Sequence, residues 1–162
     1  MSHNLQNPYI VPRHGYAKYT GDFRCISCHY PVSGLSLVSG VHHRNHCPYC
    51  LVSRCLDLFT PGDRLSACKA VMQPVGLALK RAYKKYNPQK SGELMLVHRC
   101  DGCDKISLNR LAADDDPQVV LKIFHDSLAL DPRFHAHLAQ NDILTLGRSD
   151  YLLLKTRLFG KN

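Results

Sequence analysis

The feature that most constrains this chain is a set of three C-x-x-C pairs, at Cys25–Cys28, Cys47–Cys50 and Cys100–Cys103. In a reducing compartment, paired thiols hold metal more often than they form disulfides. Each pair fits a tight turn whose backbone N–H groups donate to sulfur. Such a turn brings two sulfurs to about 3.5–4 Å apart, as tetrahedral Zn²⁺ at ~2.3 Å per ligand requires. The chain is therefore expected to fold around bound metal.

The first two pairs are spaced like the two halves of one site. Eighteen residues separate Cys28 from Cys47, a spacing that lies within the range of zinc ribbons. We predict that Cys25, Cys28, Cys47 and Cys50 bind one Zn²⁺. A rubredoxin-like iron site uses the same four thiolates, so the sequence does not separate the two metals.

The third pair needs two further ligands before it can complete a second zinc site. The candidates are Cys55, Cys68, His98, His46 and His43. Cys68 is the first choice because its neighbours are polar and turn-like. His98 lies two residues before Cys100, so on a strand both side chains point to one face. Cys55 has apolar neighbours and is interpreted as a buried thiol. We expect two Zn²⁺ per chain; the alternative is one site, with the third pair oxidised or idle.

Charge is distributed unevenly along the chain. Residues 1–99 carry 13 Lys and Arg against 4 Asp and Glu, whereas residues 100–162 carry 8 against 9. Two thiolate-rich zinc sites lower the formal net charge of +8 but leave an excess of cations. This excess suits a polyanion such as RNA. A basic domain with no nucleic-acid role is the alternative.

Residues 80–86 form a short basic segment that interleaves cations with aromatic rings. In RNA-binding proteins, cations meet phosphates and tyrosine rings stack on bases. The structural alternative is a solvated strand and loop whose tyrosines pack on a sheet. The residues that we expect to contact RNA are Arg44, Lys80, Arg81, Tyr83, Lys84 and Lys85.

The pattern predicts an α+β fold: a small zinc-ribbon-like antiparallel β domain with zinc knuckles, followed by a short C-terminal helical extension. Residues 74–112 fit antiparallel strands around the third knuckle. The acidic run 114–116 before Pro117 and the pair Asp131-Pro132 are typical of helix starts. Residues 151–159 fit a helix better than a buried strand.

Three segments follow from these patterns: an extended N-terminal arm over 1–21, the zinc-binding domain over 22–116 and the helical extension over 117–162. The first 20 residues lack the apolar stretch of a signal peptide, and no run of 18 apolar residues occurs. We therefore expect a cytoplasmic protein that makes no use of a membrane.

Several motifs together resemble the RNHCP domain family, which is named after five residues present here as Arg44-Asn45-His46-Cys47-Pro48. The resemblance also takes in Cys25-x-x-Cys28, Pro61-Gly62-Asp63-Arg64, Met72-x-Pro74-Val75-Gly76, His98-Arg99-Cys100-x-x-Cys103 and Asn109-Arg110-x-Ala112-Ala113-Asp114-Asp115. It covers about residues 22–116 and implies a zinc-binding domain without a named activity. It favours Cys68 and His98 over Cys55 as ligands that complete the site of Cys100 and Cys103.

The function expected from the residues is a zinc-stabilised module that binds RNA or a ribosome and has no catalysis of its own. One alternative is a protein–protein adaptor that docks through the apolar C-terminal helices. Another is a thiol redox protein, since Cys47-Pro48-Tyr49-Cys50 is identical to the redox motif of glutaredoxins, although no clear βαβ unit frames it. The last is a zinc-supported hydrolase or nuclease, and its candidate residues are His42, His43, Asn45 and His46.

Overall fold

The computed structural model describes residues 21–80 and 92–160, where antiparallel strands, interrupted by one short helix, are followed by three longer helices. The predicted α+β class is confirmed. The strands are β1 Phe23–Arg24, β2 Pro31–Val32, β3 Ser53–Arg54, β4 Val71–Lys80, β5 Glu93–Cys100 and β6 Ile106–Arg110. The helices are α1 Ser36–Ser39, α2 Pro117–Ser127, α3 Pro132–Gln140 and α4 Tyr151–Phe159, the last preceded by a 3₁₀ turn at Arg148–Asp150. The predicted arm, apart from its last residue, lies outside the described residues.

The strands form a small hairpin and a larger sheet. In the hairpin, β1 pairs antiparallel with β2. The larger sheet has the order β3-β4-β5-β6, and each neighbouring pair is antiparallel. Its long central pair sets Leu77 opposite Leu96. Pro74 has no N–H to give to the ladder, and the register of β4 shifts between Pro74 and Gly76.

Helices cover both faces of the larger sheet. One face packs against α2 and α4 in a core that includes Leu77, Leu96 and Phe124. The opposite face packs against α3, and Val97 of β5 lies in the same apolar cluster as Leu138 of α3. Because both faces are covered, β5 is buried over most of its length rather than alternately.

Acidic caps start two of the C-terminal helices, as predicted. The side chain of Asp116 accepts the N–H of Gln118, and Pro117 opens α2. Asp131 caps α3 in the same way through the N–H of Arg133. Each cap satisfies a backbone donor that has no partner inside the helix. The helix expected over 151–159 is also present, as α4.

The apolar side of α2 is used within the protein. Val120, Ile123 and Phe124 are buried in the core that α2 shares with the sheet. The C-terminal helices therefore form one packed unit with the zinc-binding half of the chain.

Within residues 21–80 and 92–160, no helix combines the length and the hydropathy needed to cross a bilayer.

Candidate metal centres

The first cluster brings together Cys25, Cys28, Cys47 and Cys50. The Sγ atoms of Cys25 and Cys50 lie 3.5 Å apart, as do those of Cys28 and Cys47. Tetrahedral zinc with Zn–S bonds of ~2.3 Å has sulfur–sulfur edges of about 3.8 Å. The first knuckle directly follows β1, so the β1–β2 hairpin holds its two sulfurs in place. This sulfur geometry fits one zinc ion.

Backbone N–H groups of the knuckles stabilise thiolate sulfur. The N–H groups of Ser27 and Cys28 donate to Sγ of Cys25 at 3.4 and 3.5 Å. Burial alone would raise the pKa of Cys25, but these N–H groups and the adjacent thiols lower it to about 7. The pKa of Cys100 is lowered to about 7 for the same reasons, with Gly102 among its N–H donors. One thiol in each cluster is thus prepared to ionise.

The neighbouring thiols shift in the opposite direction. Burial and nearby sulfur raise the pKa of Cys50 to about 11 and that of Cys55 to about 11, and they raise the pKa of Cys47 as well. Four adjacent sulfurs cannot all carry negative charge unless a cation compensates them. A bound dication supplies that compensation, so the donor set suits Zn²⁺.

The second cluster consists of Cys55, Cys68, Cys100 and Cys103. The Sγ atoms of Cys68 and Cys100 lie 3.6 Å apart, and those of Cys55 and Cys103 lie 3.9 Å apart. Cys55 follows β3 and Cys100 ends β5, so the larger sheet brings these ligands together. Each of the two clusters could hold one zinc ion, in agreement with the prediction of two per chain.

Cys55, and not His98, is the fourth member of the second cluster. The Nε2–H of the buried His98 ring donates to the carbonyl of Leu51 at 2.7 Å, and its Nδ1 accepts from Asn109 at 2.9 Å. Burial lowers the pKa of His98 to about 4, which keeps the ring neutral. The prediction that His98 binds metal is therefore corrected, because protein groups occupy both of its nitrogens. The interpretation of Cys55 as an isolated buried thiol is corrected with it.

Arg44 lies in a buried ion cluster and is not available to RNA. Its guanidinium donates to Asp114 at 2.8 Å and to Asp115 at 2.9 Å, and its Nε donates to the carbonyl of His46 at 3.0 Å. Asp115 also contacts Nε2 of His46 at 2.9 Å. The prediction that Arg44 contacts nucleic acid is therefore wrong. His46, a candidate ligand in the sequence, belongs to this ion cluster instead.

A family model for the RNHCP domain matches residues 20–121 of the chain. The chain belongs to the RNHCP domain family. The match spans both cysteine clusters and the buried ion cluster around Arg44. Neither the comparison with curated proteins nor that with solved structures found a match. The family and the two cysteine clusters together indicate a zinc-binding module.

The name-giving motif of the RNHCP domain, Arg44–Pro48, connects distant parts of the fold. The amide of Asn45 donates to the carboxylate of Asp57 at 2.9 Å. The carbonyl of Pro48 accepts the N–H of Asp116 at 2.9 Å, at the start of α2. Together with the ion cluster, these bonds join the first metal centre to the C-terminal helices. The structure thus gives the motif a structural role, which is to hold these parts of the chain together.

A second RNHCP motif, Pro61–Arg64, shapes the loop between Cys55 and Cys68. The carboxylate of Asp63 accepts four backbone N–H groups at 2.8–3.0 Å. The donors are Leu58, Phe59, Thr60 and Leu65. These bonds hold the pKa of Asp63 well below its usual range. Asp63 thus fixes the chain that carries two ligands of the second cluster.

The basic segment is only partly covered by the structure. Lys80 ends β4 and is exposed to solvent, opposite Glu93 in the sheet register. The other members of the predicted RNA contact set lie outside the described residues. They are Arg81, Tyr83, Lys84 and Lys85.

Proposed function

We propose that this RNHCP domain protein is a zinc-stabilised module that binds single-stranded RNA, free or within a ribosome, and has no catalysis of its own. A pair of exposed aromatic rings at the first metal centre carries this proposal. Tyr30 and Tyr49 are 60% and 55% exposed. Their ring centroids lie 5.3 Å apart, with the planes tilted by 51°. We call this pair the tyrosine platform.

The first cluster anchors the backbone that carries the two rings of the tyrosine platform. Tyr30 lies two residues after Cys28, and Tyr49 lies between Cys47 and Cys50. Because the backbone beside both rings is anchored, less conformational entropy is lost when a base stacks on them. Stacking of a base on an aromatic side chain is sequence-tolerant and is worth about 1–3 kcal/mol. The platform therefore suits unpaired bases better than a duplex, whose bases are already stacked.

A cation lies beside the tyrosine platform. Arg24 is exposed on β1, and its guanidinium donates to the carbonyl of His29 at 2.9 Å. This bond holds the positive charge next to the residue that precedes Tyr30. Stacking surfaces combined with nearby cations are the usual means of binding single-stranded nucleic acid. The formal net charge is +8, and the excess of cations that remains after two zinc–thiolate sites have lowered it supports the same ligand class.

The local chemistry also supports binding without catalysis. Four thiolates fill a tetrahedral zinc site and leave no position for water or substrate. Cys47 and Cys50 both belong to the first cluster, so a bound zinc ion would engage the two thiols that a redox motif needs free. Two residues of the hydrolase alternative are engaged elsewhere, His46 with Asp115 and Asn45 with a neighbouring carboxylate.

Fluorescence anisotropy with a labelled single-stranded RNA tests the tyrosine platform. Replacing both Tyr30 and Tyr49 with Ala should cost at least about 2 kcal/mol, or roughly 30-fold in Kd. The matched control is Phe159→Ala, which removes a partly exposed ring from the last turn of α4. The proposal fails if the double variant, with its zinc content intact, binds RNA as tightly as the control.

A further inference from the structure

A cavity of about 430 Å³ lies between the first metal centre and the start of the larger sheet. Four arginines line it, of which Arg44 is already paired with Asp114 and Asp115. The other three form its cationic wall, and side chains next to them form its apolar wall. The principal residues are Arg24, Arg54, Arg64, Phe23, Val52 and Leu56. We call it the arginine cavity. Its volume lies in the range of small-molecule sites.

Much of the hydrogen-bonding capacity of these arginines is unused within residues 21–80 and 92–160. There, the guanidinium groups of Arg24 and Arg54 form no ion pair, and each donates one hydrogen bond, to the carbonyls of His29 and Lys69 respectively. A guanidinium has five N–H donors, so on each of the two arginines several donors are not taken up by the part of the chain that the structure describes. Arg64 is oriented by neighbouring groups and lies 3.5 Å from one carboxylate. The cavity thus combines fixed cations with unused donors.

The charge balance of the arginine cavity favours an anion. Asp22 is the carboxylate in the cavity wall, and its Oδ1 already accepts the N–H of Gly34 at 2.9 Å. Four arginines line the cavity with this single carboxylate. Arg44 is already paired with Asp114 and Asp115, so the other three carry the positive charge that a ligand meets. Arginine is suited to phosphate because its planar fork can donate two parallel hydrogen bonds. The apolar wall beside the cations suits a ring rather than a bare ion.

We propose that the arginine cavity binds one nucleotide through its phosphate. This deepens the proposed function and rests on it only for the source of the phosphate, which is the end of an RNA chain or a free nucleotide. Arg24 also lines a shallow depression together with Tyr49, so the cavity adjoins the tyrosine platform. A terminal nucleotide in the cavity therefore leaves the following bases near the stacking surface.

Calorimetric titration of the full, zinc-loaded chain tests the phosphate requirement. Adenosine 5′-monophosphate is expected to bind at least about tenfold tighter than adenosine, since charge-assisted hydrogen bonds contribute roughly that factor or more. The double variant Arg24→Gln, Arg54→Gln should lose at least this factor. The control is Arg133→Gln, Arg148→Gln, which removes the same charge from exposed positions outside the cavity.

Two outcomes overturn the proposal. One is that the monophosphate binds no tighter than adenosine, and the other is that both double variants lose affinity equally. Zinc content and far-ultraviolet circular dichroism of both variants verify that they are folded. A loss confined to the cavity variant therefore reports on the cavity itself.

RNA carrying either a 5′-phosphate or a 5′-hydroxyl identifies the source of the phosphate. Tighter binding of the 5′-phosphate form, lost in the cavity variant, assigns the cavity to RNA ends. Monophosphate binding without that preference assigns it to a free nucleotide. If neither is seen while Tyr30→Ala, Tyr49→Ala still weakens 5′-hydroxyl RNA, the cavity proposal fails and the RNA module stands.

Discussion

Replacing Asp115 with Asn should destabilise the protein far more than the loss of one surface charge would. The Asp115 side chain is 2% exposed and that of Arg44 is 0% exposed. The carboxylate accepts from Arg44 at 2.9 Å and from the N–H of Ala112 at 2.8 Å, and it contacts His46 at 2.9 Å. Asn keeps the shape but removes the charge. Arg44 would then keep the carbonyl of His46 and a single charged partner, Asp114, which is partly exposed to water.

The expected magnitude follows from the burial of this pair. Removing one partner of a buried ion pair costs about 3–5 kcal/mol, because the other charge stays buried without compensation. The remaining contact of Arg44 with Asp114 places the Asp115→Asn variant near the lower end, at about 3 kcal/mol. With a urea m-value of about 2 kcal/mol/M, the unfolding midpoint should fall by roughly 1.5 M.

Urea unfolding at a fixed zinc concentration, followed by circular dichroism, measures this shift. Asp104→Asn is the matched control because the pair of Arg99 and Asp104, at 2.7 Å, is 50% and 76% exposed. Such a surface pair contributes about 0–1 kcal/mol. If the midpoints of the two variants agree within about 0.3 M, the assignment of Asp115 as the centre of a buried ion cluster is refuted. Both variants should retain two zinc ions, since neither residue belongs to a cluster.

Three further predictions concern the metal centres and the basic segment. Elemental analysis should show that Cys55→Ser lowers the zinc content from two ions per chain to one, whereas His98→Gln leaves it at two. The reverse pattern would identify His98 as the ligand. Asp63→Ala removes the carboxylate that accepts four backbone N–H groups in the loop between Cys55 and Cys68. Limited proteolysis should then cut residues 57–65 faster, and an unchanged cleavage rate would contradict this role. Joint replacement of four cations by Gln should weaken RNA binding and flatten its dependence on salt, as measured by anisotropy at several salt concentrations. Unchanged affinity would exclude the segment as an RNA contact. These cations are Lys80, Arg81, Lys84 and Lys85.

Most of the metal-binding set can be predicted from the sequence because C-x-x-C turns are local structures. The fourth ligand of the second cluster could not be predicted, because it depends on which distant groups meet. His98 has the spacing of a ligand, but Leu51 and Asn109 take up both ring nitrogens. Cys55 has apolar neighbours in the sequence, yet its sulfur lies beside that of Cys103.

The prediction for Arg44 failed for the same reason, since its environment depends on groups that are distant in the sequence. A basic residue near a knuckle indicates a nucleic-acid contact only if no carboxylate reaches it first. The acidic run 114–116 is typical of a helix cap, and Asp116 does cap α2. Asp115 instead turns toward Arg44, 71 positions away in the chain. Local patterns predict the cap, but they carry no information about a partner at that separation.

The short segment from Cys47 to Cys55 gives the two metal centres a shared mechanical element. It carries two ligands of the first cluster and one of the second. Between them, the N–H of Leu51 donates to the carbonyl of Cys47 at 2.9 Å, and the carbonyl of Leu51 accepts from His98 at 2.7 Å. Zinc capture at either centre therefore orders backbone that the other centre needs. Such coupling is reciprocal in free energy, so each ion should raise the affinity for the other, and a chain that has lost one ion should hold its remaining ion more weakly.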